Sequence, residues 1–282
     1  MTLSTRQKMT AARMAQLPVL VARRLMGRGP MTEVNRRGVR WELDLAEGID
    51  FSIWLRGYFE PETVATYRQL VRPGVTVLDV GANIGAHTLH LAVAVGPRGR
   101  VIAFEPTAPA FERLARNVAL NPEIGDRIIL QQTMLLGRAD AALPEAVVSS
   151  WPLLPRSQLD PIAPGRPQPT TGAISARLDD VLRSASISSV AFVKLDVDGF
   201  ELDVLQGARR LLEQSAPPIL LELAPTQVDA TGRRVEDVLD LLADHGYRVA
   251  TLRRRREVTL QMISNLRQTG AGINVLASPP KT

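Results

Sequence analysis

The sequence predicts an α/β fold: an open, mostly parallel sheet with helices on both faces. Three observations carry this. Residues 75–80 form a short apolar run rich in β-branched side chains, the pattern of a strand buried on both faces; Gly81 and Gly85 then turn the chain into a helical stretch from Ala86. Residues 100–104 repeat the apolar run and close on Glu105-Pro106. Two further runs, 191–197 and 218–223, each lead into helical spacing, at 201–212 and 235–245.

Taken in order, residues 1–28 read as a helix with arginines among Met, Ala, Leu and Val. Its longest apolar stretch, 17–22, is too short for a signal-peptide core or a membrane span. Peripheral contact with an anionic membrane is one reading of it, and a solvated or domain-packing extension is the other. Residues 39–49 alternate apolar and polar, which suggests strands of a small antiparallel element, continued by 53–58. Glu60-Pro61-Glu62 begins a helix to about Val71, with proline and acids where a first helical turn favours them. Tyr58 and Glu60 are either cap and packing residues or part of a lid. The helix after Glu105 spans 109–121, and 128–131 is the next strand. Between Pro144 and Pro169 fall seven prolines. A long irregular stretch, 138–175, on the carboxyl side of a strand is expected to cover a ligand; a disordered insertion is the alternative. Residues 247–252 and 273–277 form a terminal strand pair, joined through the charge run 253–256.

Composition narrows the chemistry. The chain has 282 residues, no cysteine, and a net charge of +5. Without cysteine there is no disulfide, thiolate metal site or cysteine nucleophile. Residues 1–40 hold nine basic residues and one acid, a net of +8, so the remainder sums to −3 of the total +5. A nucleic-acid enzyme spreads positive charge over the domain that does the chemistry, so nucleic acid is not the expected partner. The expected location is cytoplasmic.

The bend itself points to a ligand. A dinucleotide fingerprint uses Gly-x-Gly-x-x-Gly to seat a pyrophosphate. Here Asp79-x-Gly81-x-x-x-Gly85 puts an acid before the turn, which disfavours a pyrophosphate and favours a cation. S-adenosylmethionine carries a sulfonium and an α-amino group and no phosphate. Glu105, 20 residues beyond Gly85, is placed to accept the hydroxyls of a ribose; its structural alternative is to cap the next helix. Asp79, Gly81, Ala82, Asn83, Gly85, Glu105 and Pro106 are therefore the expected donor-binding residues.

Four stretches, 43–61, 77–88, 104–106 and 193–208, resemble FkbM-family methyltransferases, and the likeness extends through Leu221-Glu222-Leu223 to cover about residues 40–280. The resemblance implies a Rossmann-like seven-stranded methyltransferase sheet of order 3-2-1-4-5-7-6, with one antiparallel strand. It also implies methyl transfer from S-adenosylmethionine to a hydroxyl of a sugar, glycan or polyketide-type small molecule. Two departures stand out. Asp198 occupies a place where the family more often has Glu, and 132–137 lacks the family's small-residue and Asp pattern. On this reading 1–38 is a basic helical extension and 39–282 the methyltransferase domain, with 39–73 an N-terminal cap and 138–175 a Pro-rich substrate loop.

Methyl transfer needs an aligned acceptor oxygen and a group to take its proton. Lys194, Asp196 and Asp198 are expected to alternate onto one side of their strand. Either carboxylate, or a Lys194 made neutral by burial, is a candidate base; a buried Lys–Asp pair holding the strand is the structural alternative. His87, just after the bend, is a further candidate base or a packing residue, whereas His90 and His245 read as structural. Asp196 and Glu222 close neighbouring strands and, with Asp198, form a candidate Mg²⁺ site. Competing functions are an RNA or other nucleic-acid methyltransferase using the basic arm, an NAD-binding oxidoreductase, and a non-catalytic binding protein.

Overall fold

The computed structural model describes residues 5–138, 140–149 and 166–280, with side chains from Met14 onward. Helix α1 (Thr5–Leu25) is followed by a hairpin of β1 (Met31–Arg36) and β2 (Val39–Asp44). Arg37 and Gly38 turn it with φ of 54° and 80°, the left-handed pair that a tight hairpin requires. Helices α2 (Gly48–Arg56) and α3 (Pro61–Leu70) lead to β3 (Thr76–Val80), α4 (Thr88–Val95), β4 (Arg100–Phe104), α5 (Ala108–Ala119) and β5 (Ile128–Gln131). Four short strands follow: β6 (Thr133–Leu135), β7 (Ala146–Ser149), β8 (Arg166–Pro169) and β9 (Ile174–Ala176). Then come β10 (Phe192–Leu195), β11 (Ile219–Leu223), β12 (Arg248–Thr251) and β13 (Ile273–Ser278).

Seven strands form the central sheet in the order β12-β13-β11-β10-β3-β4-β5. Counted along the chain this is 3-2-1-4-5-7-6, and β13 alone runs antiparallel to its neighbours. The order reverses between β3 and β10, so the sheet has its switch point, and a crevice, at their carboxyl ends. Alternate residues feed separate cores. Leu78, Val193 and Leu221 enter one apolar cluster, whereas Val77, Phe192 and Leu220 enter another with Val64 and Tyr67 of α3 and Leu91 of α4. The pleat therefore puts Asp79, Lys194 and Glu222 on the α3–α4 face, near its open end.

Several expected elements are displaced. One strand of the N-terminal hairpin, β1, falls inside the segment 1–38 expected to be a helical extension. Residues 53–58, expected to extend that sheet, belong largely to α2, whose Asp50, Phe51, Ser52 and Ile53 are all buried. The helix expected over 201–212 is broken into Glu201–Gln206 and Arg209–Gln214. A Cβ at Gly207 would stand 2.5 Å from the carbonyl of Leu136, and the Asp179 carboxylate accepts the N–H groups of Arg210 and Leu211 to start the second piece. A helix at Leu260–Thr269 was not expected, although Thr259 caps it and Gly270 ends it in left-handed geometry. Of the Pro-rich stretch, 150–165 lies outside the described residues, and its flanks are not loop: β7 pairs with β8 and β6 with β9.

The hairpin is fastened by two asparagines, Asn117 of α5 and Asn121 just past its end. Asn121 accepts the N–H of Arg40 (2.8 Å) and donates to its carbonyl (2.7 Å), while Asn117 accepts the N–H of Glu42 (2.8 Å). Four residues along a helix rise about 6 Å and two along a strand about 6.8 Å, so the side chains match the free edge of β2. Among the described residues no helix is long and apolar enough to cross a membrane.

Candidate active site

A cavity of about 1180 Å³ opens at the carboxyl ends of β3, β4, β10 and β11, roofed by residues 48–63. Its floor is the bend after β3. The N–H groups of Gly81 and Ala82 both donate to the Phe104 carbonyl (3.0 and 2.9 Å), and the N–H of Asn83 donates to Glu105 Oε2 (2.9 Å). The bend thus spends its first amides within the protein and offers no N–H cradle for a pyrophosphate. Gly81 is required by the protein too: a Cβ there would lie 1.7 Å from the Asp196 carbonyl oxygen. Gly85, expected to admit a ligand, instead packs on α5, where a Cβ would meet Leu114 Cδ1 at 2.9 Å.

Ala82, Asn83, Glu105 and Pro106 line the cavity. Glu105 Oε1 takes both the N–H (2.9 Å) and the hydroxyl (2.5 Å) of Thr107, the residue at the cap position of α5, so it anchors the helix start without capping it, and Oε2 keeps acceptor capacity beyond its one bond to Asn83. Burial raises the carboxyl's pKa, opposed by its bonds to Thr107 and Asn83. Asp79, expected beside the ligand, is fully enclosed below the bend. It accepts the Thr88 hydroxyl (2.6 Å) and lies 3.8 Å from Lys194 Nζ, so its charge reaches the cavity only through that lysine.

Lys194 is the hub of the other wall. Parallel register sets it beside Asp79, and its Nζ lies 3.2 Å from Asp196 Oδ2 and 3.2 Å from the Gly81 carbonyl. Burial works against its charge, but Asp196, Asp79 and Glu60 outweigh burial and raise its pKa. A neutral Lys194 acting as base is thereby overturned: the site holds it as an ammonium. Strand β10 ends at Leu195, so Asp196 and Asp198 sit in the turn beyond it, not in strand alternation as expected; Asp198 adopts φ 50°.

The remaining carboxyls divide by environment. Burial, then Asp196 and Glu201, push Asp198 well above the ordinary range; Gln227 Nε2 (3.3 Å) and Ser149 hydrogen-bond it. Burial, then Asp196 and Glu60, do the same to Glu222, whose carboxyl occupies space left by Gly272. In both, burial beside other carboxyls favours the protonated form. The Mg²⁺ site expected from Asp196, Glu222 and Asp198 is not assembled: among the described residues no three Asp, Glu or His side chains are grouped to hold a metal. His87 is buried at the cap position of α4 with Nε2 3.5 Å from Glu60 Oε2, and His90 is enclosed between Trp41 and Tyr58. Sequence reasoning missed Thr63, Ser149, Gln227 and Asn274, all of which line the cavity. No local signal marks them, because they arrive from four separate elements.

A sheet of this order, with a glycine bend after its first strand and a carboxylate closing its second, defines the Rossmann-like methyltransferases. The chain belongs to the FkbM methyltransferase family: the model described as Methyltransferase FkbM domain matches residues 79–249. It is similar to the 31-O-demethyl-FK506 methyltransferase FkbM of Streptomyces tacrolimicus, at 29% identity over 64% of this chain and 75% of that one. It is similar also to the hexuronic acid methyltransferase AglP of Haloferax volcanii, at 27% identity over 70% of this chain and 75% of that one. A third relative, the AMB antimetabolite synthetase AmbE of Pseudomonas aeruginosa, is 29% identical over 63% of this chain, which spans only 10% of that protein.

Proposed function

We propose that the protein transfers a methyl group from S-adenosylmethionine to a hydroxyl of a sugar, glycan or polyketide-type small molecule. The observation that carries this reading is one cavity with two unlike walls. On one side the bend at Gly81–Asn83 and the spare acceptor of Glu105 suit an adenosine, and on the other the Lys194–Asp196 pair and Glu60 suit a cationic donor centre and a proton to be removed. In this reading Asp196 faces the donor, Lys194 holds Asp196 in place, and Asp198 and Glu222 hydrogen-bond acceptor hydroxyls. A carboxyl in its protonated form, which burial favours for both, donates as well as accepts, and that fits a polyol. The names of two relatives, a hexuronic acid methyltransferase and an FK506-type methyltransferase, support that acceptor class.

S-adenosylhomocysteine is expected to raise the melting temperature, with about 2.7 kcal/mol of stabilisation at a hundred times its Kd, whereas NAD leaves it unchanged. A scan in which NAD stabilises and S-adenosylhomocysteine does not would return the protein to the oxidoreductases.

The partner reading extends to α1. Gln16 and Leu20 hold it to the domain, with Gln16 donating to the Leu45 carbonyl (2.6 Å), while Met14, Leu17, Val21 and Leu25 form an exposed stripe beside Arg24. Ala15 lies at the cavity wall. This face suits an anionic membrane surface and a cytoplasmic enzyme working there. The expected result is sedimentation with phosphatidylserine-containing vesicles at low salt, lost at high salt. Equal sedimentation with neutral vesicles, or none with either, discards the membrane contact.

A further inference from the structure

We infer that Glu60, expected from the sequence only as a cap or lid residue, is the group that receives the acceptor's proton, with His87 behind it as a positioning residue. The inference rests on the methyl-transfer reading above. Glu60 occupies the cap position of α3, yet its side chain makes no cap bond; its backbone carbonyl alone accepts, from Val64. The residue has φ 46° and ψ 71° immediately before Pro61. A non-glycine residue held there is strained, and here the conformation aims a carboxylate into the cavity instead of at the helix.

What meets that carboxylate is built around it. Thr63 Oγ1 donates to Oε2 (3.1 Å), and the Asn274 side chain, itself 3.2 Å from Thr63 Oγ1, also hydrogen-bonds it. His87 Nε2 stands 3.5 Å from Oε2. Only 3% of His87 is exposed, it packs on Phe59 and Tyr67, and neither ring nitrogen has a hydrogen-bond partner among the described residues. A buried imidazole with no other partner has one evident role, to face this carboxylate. The charged and titratable groups around Glu60 are His87 from α4, Lys194 from β10, Glu222 from β11 and Tyr67 from α3 itself. Burial raises the pKa of Glu60, but His87 and Lys194 overcome it and lower it below the ordinary value.

Elimination then points the same way. Burial beside other carboxyls pushes Asp198 and Glu222 toward their protonated forms, Lys194 is held as an ammonium by the carboxylates around it, and Asp196 is engaged by Lys194 at 3.2 Å. Glu60 is part-exposed to the cavity and, unlike Asp198 and Glu222, has surroundings that lower its pKa. In the transfer, a lone pair of the acceptor oxygen forms the new O–C bond and the C–S bond breaks, its electron pair passing to sulfur. The hydroxyl proton passes to Glu60, so the products are a methyl ether, a neutral thioether and a carboxylic acid.

The test needs no acceptor. Sinefungin places an ammonium where the transferable methyl would be, and S-adenosylhomocysteine places nothing there. Calorimetry on the wild type is expected to show sinefungin binding more tightly by about tenfold, as a carboxylate facing a cation produces. Glu60→Gln should erase that preference while leaving S-adenosylhomocysteine affinity within about twofold and the melting temperature intact; Glu60→Asp should keep part of it. His87→Gln should move the pH at which the preference is lost on acidification upward, because one of the groups keeping Glu60 ionised is gone. If Glu60→Gln retains the full preference, or weakens both ligands equally, Glu60 is not the base, and the donor reading survives. A wild type that binds neither ligand removes the donor reading and this inference together.

Discussion

Lys194→Met is expected to destabilise the protein by about 3–5 kcal/mol at pH 8, the cost of removing one member of a buried charge network. The lysine is buried with a single shared ammonium against Asp79, Asp196 and the Gly81 carbonyl. Methionine keeps the length and loses the charge, leaving Asp79 with only the Thr88 hydroxyl and no exposure to water. The sign of the pH dependence follows. Once the cation is gone, folding raises the pKa of the stranded carboxylates, and a raised acid costs stability as pH rises from the unfolded value through the folded one. The deficit should therefore shrink as the pH is lowered toward 5, and Asp79→Asn in the same chain should restore much of it at pH 8. Urea unfolding at the two pH values measures both effects. Equal stability of Lys194→Met and wild type at pH 8 contradicts the network.

The parts of the fold that were legible share one property: a few adjacent residues decide them. Strands β3, β4, β10 and β11 are nearly continuous apolar runs because both faces are buried, and that pattern needs no knowledge of neighbours. The segment 53–58 misled because Ile53 and Leu55 continue the alternation that precedes them, whereas consecutive burial of Asp50 through Ile53 is settled by what packs around them. Gly81 and Gly85 were legible as a bend but not by purpose. The first yields to the Asp196 backbone, the second to Leu114, and both neighbours lie far along the chain. Charge states were the least legible. Whether Lys194 is an acid or a base depends on Asp79, Glu60 and Asp196, which converge from β3, the α3 start and the turn after β10. A single sequence shows the residues and not their meeting.

Gly81→Ala tests the claim that this bend is shaped by the protein before any ligand arrives. Two costs act there at once. With φ of 81°, a Cβ carries the left-handed penalty of about 1–2 kcal/mol. The same Cβ would lie 1.7 Å from the carbonyl oxygen and 2.8 Å from the carbonyl carbon of Asp196, and backbone of a turn tied to β10 cannot rotate away as a side chain can. Overpacking of that kind adds about 1–3 kcal/mol, for a total of about 2–5 kcal/mol. Gly74 is the internal control: its φ is 90°, but a Cβ there meets nothing within 4 Å, so Gly74→Ala should show the backbone penalty alone. The shift at Gly81 also displaces Asp196 from Lys194 and the Gly81 carbonyl from the ammonium, so S-adenosylhomocysteine affinity should fall together with stability, whereas Gly74→Ala should leave it unchanged. Should the two alanine variants unfold at the same urea concentration and bind alike, the close approach of the two chain segments has no energetic weight, and the bend owes its glycine to backbone geometry alone.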